Sequence, residues 1–454
     1  MKFRNTVPML MLCAALGAAS AYAEVSPEEA AQLKTTLTPF GAEKAGNKDG
    51  TIPAWTGGDT TISPGFKPGG RRPDPFASEK PLYSITAKNV AQYADKLTDG
   101  QQAMFRKYPT YRIDVYPTHR TAAAPQWVYD NTFRNATRAK ETKGGYSIEG
   151  AYGGIPFPIP KDGVQAMWNH ILSWKGETTK YDFRVYVTPT DGKSFMVSDN
   201  IDDTQNPYYY KDGSLETVKG TFFNKVRITT EGPPEHVGEA VITWDTLDPI
   251  GEGRQAWVYL TGQRRVRKLP DLAYDTPSLF TSGVSNNDEI YVFNGPMDRY
   301  DWKIVGKREM LVPYNSNKIF GPDKDSDIMS ERFLNPEHVR WELHRVWVVE
   351  ATLRDGKRHV MPRRRFYLDE DTWRAVLADS WDAKGQLWKT YWALSFDCPD
   401  VPGVMLGMFG SYNLLNGEWI ANNVMNEKSA QMTFPPRWPE NHFTAESLSA
   451  EGVR

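Results

Sequence analysis

Alternation of apolar and polar positions governs the second half of the chain. Tyr181, Phe183, Val185 and Val187 interleave with Asp182, Arg184, Tyr186 and Thr188. That is the period of two expected of a half-buried strand. Further strand candidates run over 221–230, 238–246, 254–260, 263–268, 300–305, 309–312, 341–353, 357–368, 372–381 and 386–396. Asp355-Gly356 and Lys384-Gly385 are turn signals between them, and the last four candidates read as a meander of two long hairpins. About a dozen strands predict one large antiparallel sheet, curled or nearly closed.

The first third follows another pattern. Ser26-Pro27-Glu28-Glu29 carries an N-cap, a first-turn proline and early acids, so a helix is expected from there to about residue 37. Residues 86–108 read as two helical pieces, with Thr86 and Thr98 as N-caps and Asp99-Gly100 at the break. Residues 163–174 place Val164, Met167, Trp168, Ile171 and Leu172 on one helical face. Between 41 and 81 glycine and proline dominate, which reads as an extended arm that Trp55 and Phe66 pack onto something. Residues 111–160 read as irregular. The expected organisation is residues 24–165 as arm and helices and 166–454 as a strand-rich unit, the two forming one structure.

The first 23 residues change the picture. Lys2 and Arg4, an apolar run from Val7 to Ala19, and Ala21-Tyr22-Ala23 read as a secretory signal cleaved after Ala23. The run is too short to span a bilayer. Leu12 before Cys13 is a poor lipid-attachment context. Cys13 leaves with the signal, so Cys398 stands alone and reads as a small buried residue. Export without an internal disulfide suits a bacterial periplasm. Loss of Lys2 and Arg4 takes the formal net charge from −2 to −4, which argues against a nucleic-acid partner. Aromatic residues make up 13% of the chain, with 15 Trp. Such a surplus serves either ordinary sheet packing or an apolar cavity for a greasy ligand, and composition does not choose between them.

Signatures of hydrolases, nucleotide loops, zinc helices and redox pairs are absent from the sequence. His338 and His344 are six apart, with Glu342 between them, which is not zinc-helix spacing. Asp323-Lys324-Asp325-Ser326-Asp327 opens like a calcium loop, but Ile328 and Leu334 occupy the places of its Gly and Glu. Asp369-Glu370-Asp371 reads as turn chemistry. No metal or cofactor is expected. Two basic stretches are different matters. Arg363-Arg364-Arg365, and Arg264 to Arg267 in the earlier one, put charge on both faces of a strand. Salt bridging accounts for this, or else Arg265, Arg267, Arg363 and Arg365 form an anion-binding rim at a cavity mouth. Trp257, Tyr259, Trp347, Val349, Phe366 and Trp388 lie in the most apolar strands and are the candidate cavity lining.

Several long motifs resemble a known family. They are Gly262-Gln263-Arg264-Arg265-Val266-Arg267, Ala273-Tyr274-Asp275-Thr276-Pro277, Phe293-Asn294-Gly295 and Asp298-Arg299-Tyr300-Asp301-Trp302-Lys303. Ile155-Pro156-Phe157-Pro158, Trp168-Asn169-His170 and Arg365-Phe366-Tyr367-Leu368-Asp369-Glu370-Asp371 belong to the same set. Together they resemble domain of unknown function family 1329, exported proteins of Gram-negative bacteria similar to outer-membrane lipoprotein-sorting proteins. The resemblance implies a β-rich α+β fold like the lipoprotein carrier and receptor. That fold is an unclosed antiparallel barrel whose concave face is covered by helices and holds acyl chains. It also implies association with transporters of the resistance-nodulation-division type and with an outer-membrane protein, and it carries over no catalytic residue. The expected function is a non-enzymatic periplasmic carrier or receptor for a lipophilic molecule or acyl chain. The alternatives are a hydrolase or lyase acting on an envelope glycan or lipid, and a ligand-free structural adaptor.

Overall fold

The computed structural model describes residues 25–220, 222–269, 272–429 and 431–451. The expected signal segment lies outside the described residues. The N-terminal part supplies α1 (Pro27–Ala31), β1 (Tyr83–Ile85), α2 (Asp99–Lys107), β2 (Ile113–Val115), α3 (Gln126–Arg138), a small hairpin of β3 (Lys140–Thr142) and β4 (Ser147–Glu149), and α4 (Gly163–Ile171). A first meander follows: β5 (Thr178–Thr188), β6 (Phe195–Gln205), β7 (Phe222–Gly232), β8 (Ala240–Thr246), β9 (Gln255–Leu260) and β10 (Arg265–Lys268), with the short α5 (Leu215–Val218) before β7. The second comprises β11 (Tyr300–Pro313), β12 (Trp341–Leu353), β13 (Arg363–Asp369), β14 (Ala375–Trp381), β15 (Leu387–Asp397), β16 (Val404–Asn413) and β17 (Trp419–Val424). The helix α6 (Ala445–Glu451) ends the described chain.

Fifteen strands form one sheet, in the order β1-β2-β12-β13-β14-β15-β16-β17-β5-β6-β7-β8-β9-β10, with β11 also paired to β12. The ladders are antiparallel apart from a parallel bridge between Trp341 and Val115. The meanders join where β17 runs against β5, with Ile420 opposite Val187. Among the described residues no ladder joins β10 to β11, so the sheet is unclosed, as the sequence predicts.

The two meanders are buried differently. In β5 the alternation shows directly: Tyr181, Phe183, Val185 and Val187 are buried and the residues between them are partly exposed. β14 and β17 are buried along their whole length, because both faces of the second meander are covered. One cover is α2, which Thr98 starts with a capping box closed by Gln101. Gly100 lets this helix touch the sheet. Its amide donates to Asp379 at 3.1 Å, and a Cβ there would lie 2.2 Å from both the Asp379 and Thr390 side chains. The opposite face is covered by α4 and by the irregular connection between β10 and β11, here called the strap. Trp168, Trp373, Trp419 and Phe366 are fully buried in the resulting core.

Five elements depart from the sequence reading. Residues 126–138 form α3 where irregular structure is expected, because its buried face carries Thr132 and Asn135 beside Val128 and Ala136. Asn135 uses that position to donate to the carbonyls of Tyr152, Gly154 and Ile155 at 3.1–3.2 Å. β6 is masked in sequence by Asp199, Asp202 and Asp203, β16 by Gly407 and Gly410, and β17 by Asn422 and Asn423. The expected strands at 300–305 and 309–312 are one strand, β11, with a register shift between Ile304 and Gly306.

Candidate functional site: a chamber under the strap

The inward positions of β5–β8 form the wall of an internal chamber of about 200 Å³. Phe183, Val185, Val226, Ile228 and Val241 make its apolar surface, and Leu406 and Phe409 of β16 close the far side. The strap roofs it with Leu272, Phe280, Ile290, Tyr291 and Phe293. On the reckoning of about 10–15 Å³ per water, the space equals on the order of a dozen waters.

The strap is pinned from both meanders. Arg364 meets Asp288 at 2.6 Å, His359 meets the same carboxylate at 2.9 Å, and Lys389 meets Glu289 at 3.0 Å. Burial would raise Asp288, but Arg364 and His359 override it and hold the carboxyl at about 2. On the other side Arg254 pairs with Asp245 at 2.5 Å and donates to the Leu272 carbonyl and the Asn294 side chain. Ser198 donates to the Phe280 carbonyl at 2.9 Å. Val292 sits at φ 75, a region costly for a β-branched residue, and Arg364 holds its carbonyl at 3.2 Å.

Polar groups gather where α4 meets the chamber. His170 accepts from the Ala375 amide at 3.0 Å and approaches the Phe293 carbonyl at 2.9 Å, so α4, β14 and the strap meet at one ring. Burial drives its pKa down to about 4, which keeps it neutral. Tyr181 and Tyr291 hydroxyls meet at 2.7 Å across the chamber, and Asn423 donates to Tyr291 at 2.9 Å. Burial raises Asp202 to about 7. Burial, then Arg374, lowers Lys175 to about 8, and burial lowers Arg374 to about 10.

None of the residues that the sequence nominates as cavity lining or anion rim lines this chamber. Trp257 and Tyr259 pack with Ala240, Ile242 and Leu448 of α6, on the face opposite Val241. They face away because Val241 and Ile242 alternate. Val349 and Phe366 are inward but fully buried, with Phe366 against Phe293 and Trp302 at 5.6 Å each. Trp347 stacks on Trp373 at 5.9 Å under Lys307. Trp388 alternates with the inward Lys389 and so lies on the other face. Arg363 and Arg365 share that outer face, converge on Glu350 at 3.0 and 2.8 Å, and lie over Trp381. Arg265 and Arg267 are exposed on β10, in the other meander, so the structure does not gather the four arginines. Arg364, between the two chosen from sequence, is the inward one.

A second buried cluster has metal-ligand residue types: His344, Asp369 and Asp371 offer donor atoms within 4.8 Å of one another. Asp371 and His344 have other partners, and Asp369 accepts from Thr372 through one oxygen. Arg120 holds both Asp371 oxygens at 2.6 and 2.8 Å, and His344 is bonded to Glu342 at 3.0 Å. Arg340 pairs with Glu342, while Arg345 and Lys307 pair with Glu370. Four acids thus face four cations, and the arrangement fits a structural ion network better than a metal centre. His338 lies apart, 3.5 Å from Asp323.

An unclosed antiparallel sheet enclosing an apolar chamber under a pinned strap defines the class as a β half-barrel with an internal cavity. The chain belongs to the family described as "Protein of unknown function (DUF1329)", whose model matches residues 84–449. It is 41% identical to "Uncharacterized protein PA3922" of Pseudomonas aeruginosa over 98% of both chains. Solved structures similar to it include a DUF1329 family protein from Desulfovibrio piger, at 15% identity, covering 60% of this chain and 92% of that one, with a TM-score of 0.41. A putative outer membrane lipoprotein-sorting protein domain from Vibrio parahaemolyticus has the same identity and TM-score, covering 60% of this chain and 91% of its own. A LolA superfamily protein from Nitrosomonas europaea is 12% identical, covers 61% and 94%, and has a TM-score of 0.37. Family membership rests on the sequence matches alone. Among the described residues no helix is long and apolar enough to cross a membrane.

Proposed function

We propose that the protein is a periplasmic carrier or receptor for a lipophilic molecule, exported by a signal cleaved after Ala23 and acting in envelope lipid or lipoprotein transport. The supporting observation is the apolar chamber between β5–β8 and the strap. A lipid tail moving through water needs such a container, since burial is worth about 0.8 kcal/mol per CH₂. The partners of this reading are an inner-membrane transporter of the resistance-nodulation-division type and an outer-membrane protein. The test is mass spectrometry of organic extracts of the purified mature protein, with titration of an apolar fluorescent dye. The reading expects a co-purifying lipid, or saturable binding near one dye per chain that Val241→Asp weakens. No lipid and no saturable binding would refute it and leave a ligand-free adaptor.

A further inference from the structure

Several buried cations among the described residues are neutralised by carboxylates. Arg72 meets Asp400, Arg120 meets Asp371, Arg340 meets Glu342, and Arg345 meets Glu370, all within 3.3 Å. Arg364 and Lys389 meet the strap acids in the same way. The reason is general: a buried charge without a counter-charge loses its hydration and gains nothing for it.

Two of the cations that line the chamber depart from this pattern. Arg374 is 7% exposed, yet its described hydrogen bonds go to the Trp174 carbonyl and, at 3.9 Å, to the Met405 sulfur. Lys175 is partly buried beside it, and neither has an ion pair among the described residues. The acids on that side are spoken for. Asp245 is held by Arg254 at 2.5 Å. Asp202 accepts from Thr204 at 2.6 Å and is half-neutralised near pH 7, since burial raises it to about 7. His170 is neutral there. Positive charge therefore stands in excess on the chamber lining, where the Tyr291 and Tyr181 hydroxyls meet.

We propose that Arg374 and Lys175 form an anion-binding subsite that takes the carboxylate or phosphate headgroup of an amphiphile whose apolar tail lies along β5–β8. This rests on the carrier reading and names the chemical class of its cargo. A guanidinium beside an ammonium matches an oxyanion, and a bond to a charged group is worth roughly tenfold in affinity or more.

The experiment compares laurate with dodecanol, equal in chain length but unlike in charge, by displacement of an apolar dye from delipidated mature protein. Laurate should bind at least tenfold more tightly. Arg374→Gln should remove that advantage and leave dodecanol unchanged, and Lys175→Gln should reduce it. Inorganic phosphate is the third probe. Suppression of the laurate advantage by millimolar phosphate marks a site that also accepts the free oxyanion, and its persistence marks one that needs the tethered headgroup. Equal binding of laurate and dodecanol by the unaltered protein overturns the subsite while the carrier reading stands. So does a folded Arg374→Gln protein that keeps the preference. If that variant does not fold, Lys175→Gln and the unaltered protein decide the matter. Binding of neither probe overturns the carrier reading and the subsite with it.

Discussion

Replacing Arg364 by methionine tests what holds the strap. The side chain is fully buried, 2.6 Å from Asp288, and lies over the Phe293 and Phe366 rings at 5.3 and 5.0 Å. Methionine keeps most of the apolar stem, so the loss is chiefly the charge and its hydrogen bonds to Asp288 and the Val292 carbonyl. Breaking a buried ion pair costs about 3–5 kcal/mol, and the His359 contact to Asp288 at 2.9 Å keeps the loss toward the lower end of that range. If the strap opens before the sheet does, that cost appears as faster local exchange, roughly 10²–10³-fold. The reporters are the amides of Asp288, Val292 and Asn294, bonded within the strap at 3.0–3.1 Å. Hydrogen exchange followed by mass spectrometry reads them. Arg363→Gln is the control, since Arg363 is half-exposed on the other face and its pair with Glu350 is worth under about 1 kcal/mol. The pH sign is fixed too. Asp288 is held below its unfolded value of about 3.9, so its stabilisation is present above that pH. It is lost as pH falls toward about 2, and Arg364→Met should flatten this acid limb. Equal exchange of the three amides in Arg364→Met and the unaltered protein would refute the anchoring role.

Trp257→Ala should lower stability by about 1–3 kcal/mol in urea unfolding while dye binding per folded molecule stays unchanged, because the ring packs on Trp244 at 4.8 Å on the face away from the chamber. Gly100→Ala should cost about 1–3 kcal/mol, read the same way, since the added methyl meets Asp379 and Thr390 at 2.2 Å; a neutral substitution would mean that α2 is not seated as described. Cys398 should resist a thiol reagent at pH 8 until urea unfolds the protein, because burial both hides the thiol and raises its pKa, and rapid native labelling would contradict this.

Where the sequence pattern is strongest it also marks the chamber. Tyr181, Phe183 and Val185, in the plainest alternation of the chain, form its wall. The inward face of the best amphipathic strand is a better guide than tryptophan content, because large rings here fill space: Trp373 and Trp419 are fully buried. The arginine triplet shows where sequence reasoning stops. Period two requires charge on both faces, but only the partner shows which face is inside, and Asp288 is 76 positions away. β6 and α3 are hidden for one reason. Asp202 in β6 and Asn135 in α3 are polar at buried positions, where hydrogen bonds, local for Asp202 and to the 152–155 segment for Asn135, replace apolar contact.

The face under the strap carries similar apolar strands throughout, yet it is filled over one meander and hollow over the other. What differs is the covering. Over β12 and β13 the chain delivers Phe293, Trp302 and Trp373, large rings that close on Val349, Trp347 and Phe366. Over β5–β8 the strap delivers Leu272, Phe280, Ile290 and Tyr291, and Phe293 reaches the chamber as well. An unfilled apolar space costs its lining the contacts it would otherwise make, so a chamber lasts only where its roof is held from elsewhere. Here the roof is held by charges as well as by contact with the wall, where Leu272 and Phe280 pack on Val241 and Ser198 donates to the Phe280 carbonyl. Asp288 and Glu289 fix one part to the packed meander, and Arg254 fixes both Leu272 and Asn294 at the other side. The anchors at Asp288 and Glu289 are buried ion pairs, strong in place but weakened by protonation or by loss of one partner, and those from Arg254 are hydrogen bonds. The chamber therefore depends on the electrostatics around it as well as on its own lining. A strap released by Arg364→Met should settle toward β5–β8 and lower dye capacity even though no residue that touches the dye has changed.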